Sequence, residues 1–293
     1  MTRQQKADLW LLLITFFWGS SYYLTDVCLR ELPPMWLNAF RFLLSFALLG
    51  CVFHKRLRRV NRATLRGALL VGAALVGTYV FYGYGVSRTS LSNAGFISAL
   101  AVVFTPLFDF LFRGRKPQRK LFAALALCTL GLGLLTLGRD FRPQPGDILC
   151  LGVSLCYTAD LMLTEETVKN ETVDPVAMGV LELGVVGVVM LCLSLALETP
   201  VLPRSGAVWG AALFLGLLCT GVAFVVQTVQ QQYTAASHVG LIFTLEPVFS
   251  AVIAYFFAGE RLRPQGYLGA ALMLASLVLM EVDIPLKKRR ADP

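Results

Sequence analysis

Charge is what this chain has least of. Asp, Glu, Lys and Arg make up 15% of its 293 residues and fall in short clusters. Soluble domains carry about a quarter of their residues charged. Here 56% are hydrophobic and the mean hydropathy is +0.67, more apolar surface than one soluble core can bury. Histidine is nearly missing: His54 and His238 are the only two, too few for a multi-histidine metal centre. No HExxH, GxSxG or P-loop occurs, and Gly83-Tyr84-Gly85 lacks the third glycine of a dinucleotide loop. The seven cysteines show no CxxC or metal-ligand spacing and lie in or at the ends of apolar runs, where they read as small packing residues. These absences argue against an enzyme, and no cofactor or metal is expected. The loops are too short for a receptor or scaffold that recruits soluble partners.

What the chain has is apolar length. Candidate spans run over roughly 9–29, 35–53, 65–86, 91–112 and 120–138, then 148–164, 176–197, 207–230, 235–258 and 266–282, most near the ~20 residues that cross a hydrocarbon core. The stretch 148–164 is the shortest. The first span is too long for the apolar part of a cleavable leader, and no A-x-A site follows it. The fold expected is an all-α membrane protein of ten transmembrane helices.

The two halves repeat each other. Residues 117–125 (PQRKLFAAL) match 264–272 (PQGYLGAAL) at six of nine positions, and 89–97 (TSLSNAGFI) shares Thr, Ser, Gly and Ile with 234–242 (TAASHVGLI). Each half holds five apolar segments, an odd number, so the second copy enters the membrane from the opposite side. Two inverted five-helix repeats around a central cavity, 1–142 and 143–293, follow from this, an arrangement typical of solute transporters.

The net charge of +8 is placed like a topology signal, and no nucleic-acid partner is expected. With the N-terminus in the cytoplasm, 18 of the 26 Lys and Arg fall on the inner side and 7 on the outer, with Arg41 inside a span. That bias puts both termini in the cytoplasm. Basic loops of the first half correspond to nearly balanced loops, Glu198–Arg204 and Glu260–Arg263, in the second, as inversion requires. Lipid and a small-molecule solute are the partners expected, and the chain is expected to function as a monomer in the inner membrane.

Repeat alignment at an offset of 145 pairs Tyr79 with Phe224 and Tyr82 with Gln227. Each pair of positions is three residues apart and so shares a helix face. Opposed across the pseudo-two-fold axis, the faces would form a slot for a flat ring, with Gln227, Gln230 and Gln231 as hydrogen-bonding groups. The alternative is that the tyrosines at 79–84 form an interfacial belt, with Tyr84 the best belt candidate.

Ionisable residues inside spans are costly and pair or line water. Arg41 and Glu182 are repeat-equivalent, each seven residues after a proline; they either hold the halves together or, if they part in one access state, gate it. Glu246 precedes Pro247, which offers no N–H to the turn before it. It is read either as a proton or ammonium site or as part of the fold. Asp160, one turn from Tyr157, is a similar candidate, and His238 lies near a span end. The substrate site is expected from Tyr79, Tyr82, Tyr157, Phe224, Gln227, Phe243 and Glu246, and coupling or gating from Asp160, Glu246, Arg41 and Glu182. Small pairs such as Ala68–Gly72, Ala73–Gly77 and Ala212–Gly216 allow close helix approach. Pro106 and Pro247 sit out of register, so the two repeats should bend differently.

Trp18-Gly19-Ser20, Arg41-Phe42 and the stretch LEPVFSAVIAYFFAGERL (Leu245–Leu262), together with the five-plus-five repeat, resemble the EamA-type drug/metabolite transporters over essentially the whole chain. The first copy departs from the pattern, with Arg115 where the second has Glu260. The aromatic run YVFYGYGV (Tyr79–Val86) is most similar to bacterial exporters of aromatic amino acids and aromatic cations. The resemblance implies a basket of ten helices whose cavity is lined mainly by spans one, three, four, six, eight and nine. It also implies export outward without a nucleotide-binding domain. The expected activity is secondary export of aromatic and hydrophobic amino acids by alternating access. The alternatives are an exporter of organic cations or other small metabolites, or a passive channel for them.

Overall fold

The computed structural model describes residues 1–86, 88, 97–114, 119–136, 145–258 and 263–281. The boundary between the halves, the Gly259-Glu260 ending, Arg115 and most of 89–97 lie outside these residues. Among the described residues all regular structure is helical, as a chain immersed in lipid requires, since each helix satisfies its own backbone groups. In order the elements are α1 (Arg3–Leu29), α2 (Pro34–Val52), the single turn α3 (His54–Leu57), α4 (Arg62–Val86), α5 (Ala101–Arg113), α6 (Arg119–Thr136), α7 (Pro145–Val168) and α8 (Pro175–Leu197). There follow α9 (Gly206–Phe214), a π-helical segment Leu215–Val222, α10 (Ala223–Gln230), α11 (Ala236–Phe243), α12 (Glu246–Ala258) and α13 (Pro264–Glu281).

Seven stretches among the described residues are long and apolar enough to cross a membrane: α1, α2, α4, α7, α8, the run Gly206–Gln230 and the run Ala236–Phe257. The fourth expected span begins outside the described residues and is represented by α5. The fifth appears as α6, whose apolar part, Lys120–Leu134, is shorter, and the tenth as α13. The sixth differs from its expectation. Read as the shortest span, it is a helix of 24 residues, begun by Pro145 at a position where a missing N–H costs nothing. It continues through Glu165 and Glu166 because Glu165 is buried in ion pairs.

Helix ends are held by acids from elsewhere in the chain. No side chain of α2's own caps it; instead the Glu198 carboxylate, just past α8, accepts from Met35 N at 3.0 Å and Trp36 N at 2.9 Å. Reciprocally, Glu31, after α1, accepts from the backbone N–H of Arg204 at 2.6 Å and Ser205 at 3.2 Å. Ser205 in turn caps α9. At the opposite face Asp174 caps its own α8 and pairs with Arg56 at 3.1 Å.

α4 packs along α7 and α8, α2 along α8 and the π segment, α6 along α13, and α1 across α9 to α12. The interior is apolar, with Phe42, Leu75, Leu161, Leu183, Met190 and Leu215 fully buried, while Phe112 and Phe256 are 75% and 73% exposed on the outside. Gly19 sets the tightest crossing at the site. A Cβ there would stand 2.5 Å from Phe249 Cβ and 3.0 Å from the Glu246 carbonyl oxygen, so only glycine lets α1 meet the start of α12. The Ala–Gly pairs act likewise: Cβ atoms on Gly72, Gly77 and Gly216 would press on Val185, Cys156 and Leu44.

Gly19→Val should lower stability by about 1–3 kcal/mol through overpacking, read as a fall in Tm of the purified protein. Glu198→Gln should cost about 1 kcal/mol by weakening the charged cap of α2. Glu31 is partly exposed, and the Arg204 N–H, then Ser205, hold its carboxyl below its ordinary value of 4.5. Its contribution is therefore complete above that value and lost as pH falls through the lowered one. A Glu31→Gln variant should differ from wild type in Tm at pH 7 and converge with it in acid.

Candidate functional site

Between the helices lies a cavity of about 400 Å³. Its wall is a chain of aromatic rings from both halves. Tyr157 stacks on Phe243 with centroids 6.4 Å apart; Phe243 meets the Trp18 edge at 4.7 Å; Trp18 meets Phe224 at 5.3 Å. Phe224 continues to Phe42 and Tyr79, which meet edge to face at 4.8 Å. Tyr82 and Glu246 also line the space. Of the residues expected to bind substrate, Tyr79, Tyr82, Tyr157, Phe224, Phe243 and Glu246 all face one cavity. Tyr84, the belt candidate, does not line it and instead lies under the Arg88 guanidinium at 5.6 Å.

Gln227 does not line the cavity. It lies one turn along α10 from Phe224 and is buried, with Nε2 donating to Asp160 Oδ2 at 3.3 Å and to Gln231 Oε1 at 3.3 Å. Gln231 passes the network on to the Leu161 carbonyl at 3.1 Å. Residues three apart are offset by about 60° around a helix, enough to turn Gln227 from the cavity towards α7. Asp160 and Glu182 are likewise buried behind the wall, and Glu182 Oε1 accepts from Thr228 Oγ1 at 3.0 Å.

Arg41 lines the cavity but is not paired with Glu182. Its Nε donates to Thr220 Oγ1 at 2.6 Å, and its Cζ stands 5.7 Å from the ring centres of Phe42 and Tyr79. The reason is the π-helical segment, which no repeat alignment reveals. Its widened turns leave carbonyls for side chains from other helices: Trp18 Nε1 donates to the Cys219 carbonyl at 2.8 Å, and Ser45 Oγ to that of Gly216. The same segment presents Thr220 to Arg41. With Pro34, Leu37, Asn38 and Arg41 all lining the cavity, α2 is a wall the expected set of spans omitted.

The cavity reaches Leu29 at the end of α1 and Pro34 at the start of α2, one face of the molecule. At the other face the ends are tied by charge. Arg113, closing α5, pairs with Glu165 at 2.8 Å, Glu166 at 3.1 Å and Asp109 at 3.2 Å. Glu165, 1% exposed, also pairs with Lys169 and accepts from Ala236 N at 3.4 Å, at the start of α11. His238 Nε2 meets Asp8 Oδ1 at 3.4 Å, joining α11 to α1 near the end of its span. Sequence reading missed this cluster because Glu165 and Glu166 lie about fifty residues from Arg113. The helix break stands between the two faces. α11 stops at Phe243, and α12 begins at Glu246 with Pro247 in its first turn. In the corresponding region α5 begins at Ala101 and runs on through Pro106. The breaks thus fall differently relative to the prolines in the two halves.

Arg113→Ala should cost about 2 kcal/mol or more in stability by stripping Glu165 of its main partner, and Arg113→Ala with Glu165→Ala should recover part of it. Thermal unfolding of the single and double variants measures both.

The profile of the EamA-like transporter family matches the chain twice in succession, over residues 5–137 and 144–282. A protein of Archaeoglobus fulgidus described as an uncharacterized transporter is 24% identical over 282 residues, covering 95% of this chain and 86% of its own. The uncharacterized transporter YwfM of Bacillus subtilis is 23% identical over 297 residues, covering 97% and 96%. One solved crystal structure superimposes with a TM-score of 0.82 at 17% identity, covering 94% of this chain and 96% of the other, a likeness of fold. With the family profile spanning both halves and a multi-pass bundle of apolar helices around an internal cavity, the chain belongs to the EamA-like transporter family and is a membrane transporter of that type.

Proposed function

We propose that this transporter is a secondary exporter of aromatic and hydrophobic amino acids that works by alternating access. The observation that carries the reading is the wall of Trp18, Tyr79, Tyr82, Tyr157, Phe224 and Phe243 around one cavity of about 400 Å³, a size and lining suited to one flat ring. Glu246 lines the same space and supplies negative charge for an ammonium group.

The ten-span, inverted-repeat architecture is part of the proposal. The packing supports it by keeping its pattern when the halves are exchanged. α4 lies along α7 as α9 and α10 lie along α1, and α5 meets α7 as α11 meets α1. The pairs α2 with α8 and α6 with α13 are each their own counterpart. Rocking of such halves about a mid-depth site is how inverted repeats alternate access. The basic loop Lys55–Arg59 and the Arg113 cluster follow α2 and α5, at the face away from Leu29 and Pro34. In an inner membrane with both termini cytoplasmic, that face is the inside, and the cavity belongs to an outward-facing state.

A second reading, export of organic cations, is favoured by the Glu246 carboxylate in the cavity. Uptake of radiolabelled solutes into proteoliposomes, with and without a proton gradient, separates the readings. Saturable, competable flux of tryptophan or phenylalanine is expected. Tyr82→Ala and Phe243→Ala should each weaken apparent affinity about tenfold, the scale of one lost ring contact with its buried area. Flux of organic cations with none of amino acids would discard the cargo and keep the carrier, and flux without saturation or counterflow would mean a channel.

A further inference from the structure

Arg41 is the feature that the exporter reading leaves unused. It is 5% exposed, lines the cavity and is held by one hydrogen bond through Nε to Thr220. Among the described residues no carboxylate comes within the 4.0 Å of an ion pair and no hydrogen-bonding partner reaches either Nη atom. The faces of Phe42 and Tyr79, 5.7 Å away, compensate only part of the charge. A guanidinium at membrane depth ordinarily pairs or faces water, and the Thr220 bond engages only Nε of this cavity-lining residue.

We propose that Arg41 is the carboxylate-binding group of the site. The substrate's α-carboxylate would accept two parallel N–H bonds from the Nη atoms, the bidentate geometry that a guanidinium matches and an ammonium does not. Asn38, one turn earlier on α2, and Tyr82 line the same cavity and supply neutral polar groups beside it. The ring then seats against Trp18, Phe224 and Phe243. A single guanidinium in a cavity that also holds the Glu246 carboxylate suits the monocarboxylate of an amino acid better than a phosphate, which collects several cations. Thr220 acts as a positioning residue that fixes the fork through Nε. This assignment rests on the amino-acid reading above and sharpens it: the cargo carries an anionic group, and a bare aromatic amine meets repulsion from Arg41 at that end of the site.

The test compares three ligands of one ring size on the purified full-length protein in nanodiscs, by calorimetry. These are L-phenylalanine, 3-phenylpropionate, which lacks the ammonium group, and 2-phenylethylamine, which lacks the carboxylate. In the wild type, phenylalanine should bind at least about tenfold more tightly than phenylethylamine, the scale of a charged hydrogen-bond pair, and phenylpropionate should bind measurably. Arg41→Gln should abolish that preference, weakening phenylalanine and phenylpropionate while phenylethylamine, relieved of the repulsion, binds no more weakly than to the wild type. Thr220→Val, a milder change, should reduce the preference without abolishing it. Phenylethylamine binding as tightly as phenylalanine in the wild type overturns the assignment while leaving an aromatic-cargo transporter intact. Binding of none of the three overturns it together with the aromatic reading. The wild-type comparison needs no variant to fold.

Discussion

Every polar group at mid-depth in this protein has to find its partner inside the bundle, because the outer surface offers it only lipid. That constraint organises the site. The π-helical segment breaks the regular ladder in the middle of the run Gly206–Gln230, and a broken ladder facing hydrocarbon would leave several carbonyls unsatisfied. Here Trp18 takes one and Ser45 another, so α1 and α2 are fixed against the break by the groups it exposes. The same irregularity presents Thr220 to Arg41. A backbone defect thus becomes the mount for Arg41 in the cavity wall.

The polar groups sort into two layers. Lining the cavity are Glu246, Arg41, Asn38 and the tyrosines Tyr79, Tyr82 and Tyr157. Behind the wall, Asp160, Gln227, Gln231, Glu182 and Thr228 bond among themselves and to backbone. The second layer carries the acids Asp160 and Glu182, and Asp160 stands one turn from Tyr157 on the same helix. Position around the helix axis, more than residue type, divides groups that line the cavity from groups bonded behind its wall.

Much of this was legible in the sequence, and the limits have a physical source. The internal repeat found the aromatic wall, because Tyr79 and Phe224 occupy equivalent positions and ring stacking depends only on which face a residue shares. It failed for Gln227, one step further along, where a 60° offset sends the side chain to Asp160. It did not give the partners that Arg41 and Glu182 have in this state, Thr220 and Thr228, the first of them set by the π segment, a feature without a pattern of its own. The span read as 148–164 ends just before Glu165 and Glu166, whereas α7 runs on through them. The compensating Arg113 comes from α5, and no local window shows a neutralising partner that distant. The Glu246–Pro247 break was readable, since a proline's missing N–H is a property of the residue itself.

The reciprocal caps have a consequence for how the molecule is made. α2 enters the membrane early in synthesis, but the carboxylate that satisfies its first N–H groups belongs to Glu198, about 160 residues later. Glu31 likewise waits for Arg204 and Ser205. Until the ribosome has delivered both, each partner stands at the membrane surface with its polar groups served only by water and lipid headgroups. The first half is therefore an incomplete object on its own. It finishes folding only against the second, and an early stop in translation would leave a quality-control target in place of a half-sized carrier.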